Sequence, residues 1–170
     1  HLYQMEECRK ASGADYIVVV MSGNFTQRGE AAVLDKWTRS RLAVENGADL
    51  VLELPFAYAV NSAEYFAKGG VSILESLGCV THIGFGAETA ELDKLQEISG
   101  FLLDENRQFS SRIKELLGEG VSYAKAREMC VAEQLGGEAA EILKSPNNIL
   151  AIEYLKQLKS LDSSIEPVVI

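Results

Sequence analysis

The sequence predicts an α/β fold with a parallel sheet, on three observations. Residues 16–21, 49–54 and 80–86 are short apolar runs, nearly continuous rather than alternating, and so read as buried parallel strands. Stretches with apolar residues three to four apart separate these runs, giving the strand–helix–strand order of a parallel sheet with right-handed crossovers. Polar, glycine-containing loops leave the carboxyl ends of the first and third runs, where an open α/β sheet binds its ligands. The pattern is Rossmann-like, with a helical extension over about residues 90–161. At 170 residues the chain is read as one domain, long enough for a single substantial core.

Residues 2–12 read as a helix, with Leu2 and Met5 inward and Gly13 just past its end. The strand at 16–21 runs into Ser22-Gly-Asn-Phe-Thr-Gln-Arg-Gly29. Glycines let a backbone approach a phosphate, and Arg28 beside them can fork onto its oxygens. The same residues serve equally as a polar strand-to-helix connection whose glycines only make the turn, and spacing leaves the two readings even. The loop is neither a Walker loop, since no Gly-Lys-Ser/Thr follows, nor a Gly-x-Gly-x-x-Gly turn. Asp35 is the expected N-cap of a helix to Asn46, with Trp37, Leu42 and Val44 as its apolar positions and Gly47 ending it.

Pro55 stops the strand at 49–54. Its Glu53 is expected to face the ligand crevice, because a central parallel strand leaves few solvated positions. Residues 61–77 read as a helix capped by Asn61 or Ser62, with Glu64 at the capping-box position if Asn61 is the cap. Gly69-Gly70 within it points to close packing against the sheet. In the strand at 80–86, His82 reads as a packed core residue, while Gly84 and Gly86 bring backbone near a ligand. Helical spacing then recurs at 91–103, 110–117, 122–135 and 138–144, with the charges on solvated faces. Ser145-Pro-Asn-Asn148 opens a helix at 149–161, one asparagine capping it and the other free to bond a base or ribose. The end, residues 166–170, resembles the start of a strand.

Cys8, Cys79 and Cys130 are an odd, widely spaced set without a Cys-x-x-Cys pair, which predicts reduced structural thiols in a cytoplasmic protein and argues against zinc. His1 and His82, the two histidines, do not by themselves make a metal site. No apolar run approaches the roughly 18 residues of a membrane span. A net charge of −9 disfavours nucleic-acid binding by this segment alone, although a basic face elsewhere in a longer protein is compatible with it. A chain that opens on His1 and closes on an apolar run is expected to be part of a larger polypeptide.

Five blocks carry a family resemblance: Ser22 to Gly29, Asp35-Lys-Trp-Thr-Arg39, Leu52-Glu-Leu-Pro55, Phe85-Gly86 with Glu88, and Ser145 to Asn148 followed by Glu153-Tyr154. In this order and spacing they resemble the bacterial tRNA(Met) cytidine acetate ligases, of the HIGH-motif nucleotidyltransferase superfamily. The resemblance covers essentially the whole chain. His1-Leu2-Tyr3 resembles the last His of the family's Asn-Pro-Phe-His-Asn-Gly-His motif with the Leu-Tyr pair after it. The first His of that motif, the strand before it, a basic stretch after the final strand and the helical region expected to hold tRNA all lie outside this sequence.

The resemblance implies the Rossmann-like sheet of the HIGH-type nucleotidyltransferase fold and a concrete reaction. ATP activates acetate as acetyl-adenylate, and the acetyl group passes to N4 of the wobble cytidine of elongator tRNA(Met). It implies ATP as cosubstrate, with Mg²⁺ expected alongside it. It places His1 near the bridging phosphate oxygens as the catalytic, charge-stabilising group, and Gly86 and Asn147 with His1 as ATP contacts. Ser22, Asn24, Gln27 and Arg28 are assigned to phosphate or acyl-adenylate handling, and Asp35, Lys36 and Arg39 either to that site or to structure. The 170-residue chain alone is expected to be inactive. Two other readings stay open: an adenylyl- or cytidylyltransferase acting on a small metabolite, and a non-catalytic nucleotide-binding domain.

Overall fold

A computed structural model describes residues 2–104 and 107–170, with only the backbone of 107 and 108. Helix α1 (Leu2–Ser12) precedes strand β1 (Val18–Ser22). Helix α2 (Lys36–Glu45) leads to β2 (Leu50–Leu54), the four-residue α3 (Phe56–Ala59) and α4 (Ala63–Ser76). After β3 (His82–Phe85) come five helices: α5 (Leu92–Leu103), α6 (Arg107–Gly118), α7 (Tyr123–Leu135), α8 (Gly137–Ile142) and α9 (Pro146–Ser160). Strand β4 (Glu166–Val169) closes the order.

The strands are parallel, as the continuous apolar runs predict, but they pair as two separate couples. Strand β1 pairs with β2 in a register that sets Val18 against Leu50 and Ser22 against Leu54. Strand β3 pairs with β4, His82 against Glu166 and Phe85 against Val169. Since β1 has a partner on one edge only, its residues are half-buried throughout rather than fully buried. Tyr16 lies outside the strand and is exposed.

The core sits on the helical side. Helix α9 packs against both α4 and α5, and each presents one stripe at helical spacing. Val71 and Leu74 of α4, Leu95, Ile98 and Leu102 of α5, and Ala151, Ile152, Leu155 and Leu158 of α9 share one cluster with Ile83 and Phe85 of β3. Helix α2, by contrast, has no fully buried residue, and Trp37, Leu42 and Val44 are exposed.

Capping follows local chemistry, with two departures. Asp35 caps α2 as expected, its Oδ1 accepting from the N–H groups of Trp37 (2.9 Å) and Thr38 (3.0 Å). For α4 the cap is Ser62, and its side chain makes no capping bond, so the capping box with Asn61 does not form. Helix α9 starts three residues earlier than the spacing predicts, because Pro146 supplies a first helical residue that needs no N–H partner. Asn147 and Asn148 are therefore inside its first turn, and Ser145 is the cap position.

Candidate functional site

Between the two strand couples lies a cavity of about 1500 Å³, walled by β1 on one side and β3 on the other. That exceeds the roughly 300–1,000 Å³ of an ordinary small-ligand site, so a nucleotide at the strands' carboxyl ends would fill only part of it. Three of the residues assigned to ATP, phosphate or acyl-adenylate line it together: Ser22 at the end of β1, Gly86 just past β3, and Asn147 in the first turn of α9.

Each of the three is placed by a different local device. Ser22 is held through its carbonyl by Arg39 of α2, whose Nη1 donates to the carbonyl oxygens of Ser22 (3.0 Å) and Gly23 (2.7 Å). Arg39 also lines the cavity, so the cation in this wall comes from the helix and not from the loop. Gly86 is exposed, and a side chain there would meet only the Ile170 carbonyl oxygen at 3.9 Å. Packing does not require glycine at that position. It does at Gly84, where an added Cβ would collide with Cys8 Sγ of α1, and burial pushes that thiol above its ordinary pKa. Both glycines line the cavity, Gly84 half-buried and Gly86 exposed.

Asn147 and Asn148 divide their labour. Asn148 is buried and fully engaged: its Oδ1 accepts from the Thr89 N–H (3.0 Å), and its Nδ2 donates to Thr89 Oγ1 (3.0 Å) and the Ile142 carbonyl (3.2 Å). Asn147 is exposed at the cavity, and its side chain has no hydrogen-bond partner among the described residues. Beside them Tyr154 packs its ring 5.5 Å from that of Phe85. Burial pushes its phenol up to about 12.

The loop after β1 is a small hairpin. Phe25 and Ala31 form an antiparallel bridge, the Thr26 N–H donates to the Glu30 carbonyl (2.9 Å), and the Gly29 N–H donates to that of Thr26 (2.9 Å). This is a three-residue connection with its glycine in the left-handed region, at φ 76°. Gln27 and Arg28 occupy its tip, Arg28 exposed, and neither lines the cavity. Asn24 turns its Oδ1 to the Lys36 N–H at 2.9 Å. Glu53 is not in the crevice either: half-exposed, it pairs with Lys36 Nζ at 2.6 Å and fills the space a Cβ on Gly23 would need.

His82 is half-buried in the cavity wall, with Nδ1 2.9 Å from Thr81 Oγ1. His1 lies outside the described residues. Among the described residues no group of three or more His, Cys, Asp or Glu converges on a metal position, and no helix is long and apolar enough to cross a membrane. Sequence reasoning quoted Glu88 and Tyr154 within the blocks of the family resemblance but gave neither a role, and it did not foresee the contact of Glu88 with α9. The tyrosine sits mid-helix with no distinguishing spacing, and Glu88 meets its partners across 59 and 60 residues of chain.

Known proteins resemble this chain along its whole length. The family model described as HIGH Nucleotidyl Transferase matches residues 1–170. A tRNA(Met) cytidine acetate ligase of Caldanaerobacter subterraneus subsp. tengcongensis is 48% identical over 168 residues, 98% of this chain and 42% of the relative. The ligase of the same name from Acetivibrio thermocellus is 48% identical over 172 residues, 100% of this chain and 41% of that protein. The crystal structure of Thermotoga maritima TmcAL bound with alpha-thio ATP superposes with a TM-score of 0.95 at 35% identity, covering 100% of this chain and 42% of that one. The chain therefore spans about two fifths of the length of the relatives it matches. With the family model matched from end to end on an α/β fold of parallel strands, the chain belongs to the HIGH nucleotidyltransferase family.

Proposed function

We propose that this chain forms the ATP-handling part of a tRNA(Met) cytidine acetate ligase. The observation that carries the reading is the meeting of Gly86 and Asn147 at one cavity at the carboxyl ends of β1 and β3, with open backbone on the first and a free amide on the second. The alpha-thio ATP carried by the Thermotoga relative, itself 35% identical, supports a nucleotide there. The names of the relatives support tRNA as the second substrate.

In the proposed reaction an acetate oxygen attacks the α-phosphorus of ATP, the bond to the bridging oxygen breaks, and pyrophosphate leaves with the electron pair. The cytidine N4 amine then attacks the acetyl carbonyl, loses a proton, and AMP departs. The adenylate is already activated, so the second step asks for no protein nucleophile. Gly86 and Asn147 contact the nucleotide, His1 stabilises charge as pyrophosphate leaves, and Ser22, backed by Arg39, faces the phosphate or acyl-adenylate end. Asn24, Gln27 and Arg28 belong to the neighbouring hairpin, which supports a role at the approach to that end. Mg²⁺ would arrive on the phosphates, as it commonly does, rather than in a cage of protein carboxylates.

The volume left beside a nucleotide supports a further strand there. The strand that the resemblance places ahead of His1 would run between β1 and β3 and pair with both, which supports a single five-stranded sheet in a polypeptide of the relatives' length.

The test is ATP–pyrophosphate exchange, with and without acetate, by this sequence extended at both ends to that length. Exchange that requires acetate, followed by cytidine acetylation in tRNA, is the expected result. Exchange with another small substrate but not acetate would move the protein to the metabolite transferases. Nucleotide binding with no exchange would make it a binding domain.

A further inference from the structure

We propose that Glu88, Thr89 and Asn148 form a positioning latch for the nucleotide contacts: they hold Gly86 and Asn147 at a fixed separation without touching the nucleotide themselves. The inference rests on the reading of the cavity as the ATP site.

The latch joins two segments that nothing local brings together. The Glu88 carboxylate accepts from the N–H of Asn148 at 2.9 Å and, more weakly, from that of Asn147 at 3.4 Å. In return, the Asn148 side chain bonds both the N–H and the hydroxyl of Thr89. The chain two residues past Gly86 is therefore tied to the residue carrying the free amide, and to its neighbour. On its other side the Gly86 turn is tied to the end of β4, by the Ile170 N–H to the Phe85 carbonyl at 3.0 Å and by the Ala87 N–H to the Ile170 carbonyl at 3.4 Å. Those bonds hold the turn to β4 and the Phe85–Tyr154 ring contact holds β3 to the middle of α9, so among the described residues the hydrogen bonds between the turn and the first turn of α9 are those of the latch.

Its chemistry suits that task. Helix α9 has 15 residues, and Ser145 at its cap position contributes no side-chain bond, so the first N–H groups need another acceptor. A carboxylate at a helix N-terminus is favoured by the helix dipole, and charge-assisted bonds are shorter and stronger than neutral ones. Asn148 is 2% exposed, and both of its polar atoms are satisfied within the latch and by Ile142, so it cannot swing out to a ligand. With the N-terminus of α9 already holding an anion, Asn147 is left to act through its side chain alone. A site must hold its contacting groups to within about 0.5 Å of the productive geometry, which is what supporting hydrogen bonds supply.

The test uses the extended polypeptide and reads ATP affinity by calorimetry, KM for ATP and for acetate, and the melting temperature without ligand. Glu88→Ala is expected to raise the ATP dissociation constant about tenfold or more, with the acetate KM unchanged. Glu88→Gln keeps an oxygen for the Asn148 N–H and is expected to recover most of that loss. Thr89→Val removes only the hydroxyl and is expected to weaken ATP about threefold, which keeps the idea testable if Glu88→Ala does not fold. Wild-type ATP affinity in folded Glu88→Ala or Thr89→Val, whatever the melting temperature, would overturn the latch and leave the ATP site standing. Failure of the unaltered protein to bind ATP would overturn both.

Discussion

Adding one methyl group at Gly69 and at the adjacent Gly70 should have opposite effects. At Gly69 an added Cβ would lie 2.6 Å from Tyr58 Cγ and 2.8 Å from Leu54 Cδ1, both in close-packed surroundings. At Gly70 its nearest neighbour would be Tyr154 Cε1 at 4.0 Å, an ordinary contact. Urea denaturation of Gly69→Ala should show a loss of about 1–3 kcal/mol from overpacking. Gly70→Ala should gain up to about 1 kcal/mol from helix propensity. A destabilised Gly70→Ala would contradict the geometry. At the same scale, Glu153 is 1% exposed and bound by two cations, Arg127 Nη2 and Lys156 Nζ, each at 2.8 Å. Glu153→Ala leaves both without their carboxylate and should cost about 3–5 kcal/mol, whereas replacing all three by apolar residues of similar size should be near neutral. Equal losses from the single and the triple variant would refute that account.

Among the elements, α2 depends most on its ends. None of its residues is fully buried, so it lacks a core face, and its N-terminus rests on Asp35. Hydrogen bonds from the Thr38 N–H and hydroxyl and from the Trp37 N–H hold the Asp35 carboxyl below its ordinary value of 3.8. A depressed folded-state value contributes stability that is complete above the unfolded value and lost as the pH falls through the folded one. Hydrogen exchange of the α2 amides should therefore be steady above about pH 4 and accelerate below it, beyond the intrinsic pH dependence. In Asp35→Ala the protection should be low at every pH; an unchanged profile in that variant would remove the cap from the explanation. The hairpin between β1 and α2 shares this dependence, because Arg39 holds the carbonyls from which it springs.

For the whole molecule, the two strand couples set the expectation. Strands β1 and β3 each have one partner, and the cavity between them is wider than a nucleotide needs. A strand supplied from ahead of His1 should add about 1 kcal/mol for each ladder bond it forms. Extending the chain upstream should raise the melting temperature and slow amide exchange along β1, most at Val18 and Val20, whose N–H groups point away from β2. Unchanged exchange there would mean that the cavity stays open in the longer protein.

Much of this architecture is legible in the sequence, for a reason that also marks the limit. Apolar periodicity and capping residues act within a few positions, so the parallel strands, the helical stretch from α5 to α9 and the Asp35 cap could all be read from neighbours in the chain. The order of the five blocks likewise pointed to the family that the family-model match bears out. Tertiary structure alone decided which of two similar residues does what. Arg39, and not Arg28, stands in the cavity wall; Asn147 is free while Asn148 is consumed; Gly69 is crowded and Gly70 is not. Each of those choices turns on a contact with a residue distant in sequence, as from Asn148 to Thr89 across 59 positions, and no pattern of local spacing encodes such a contact.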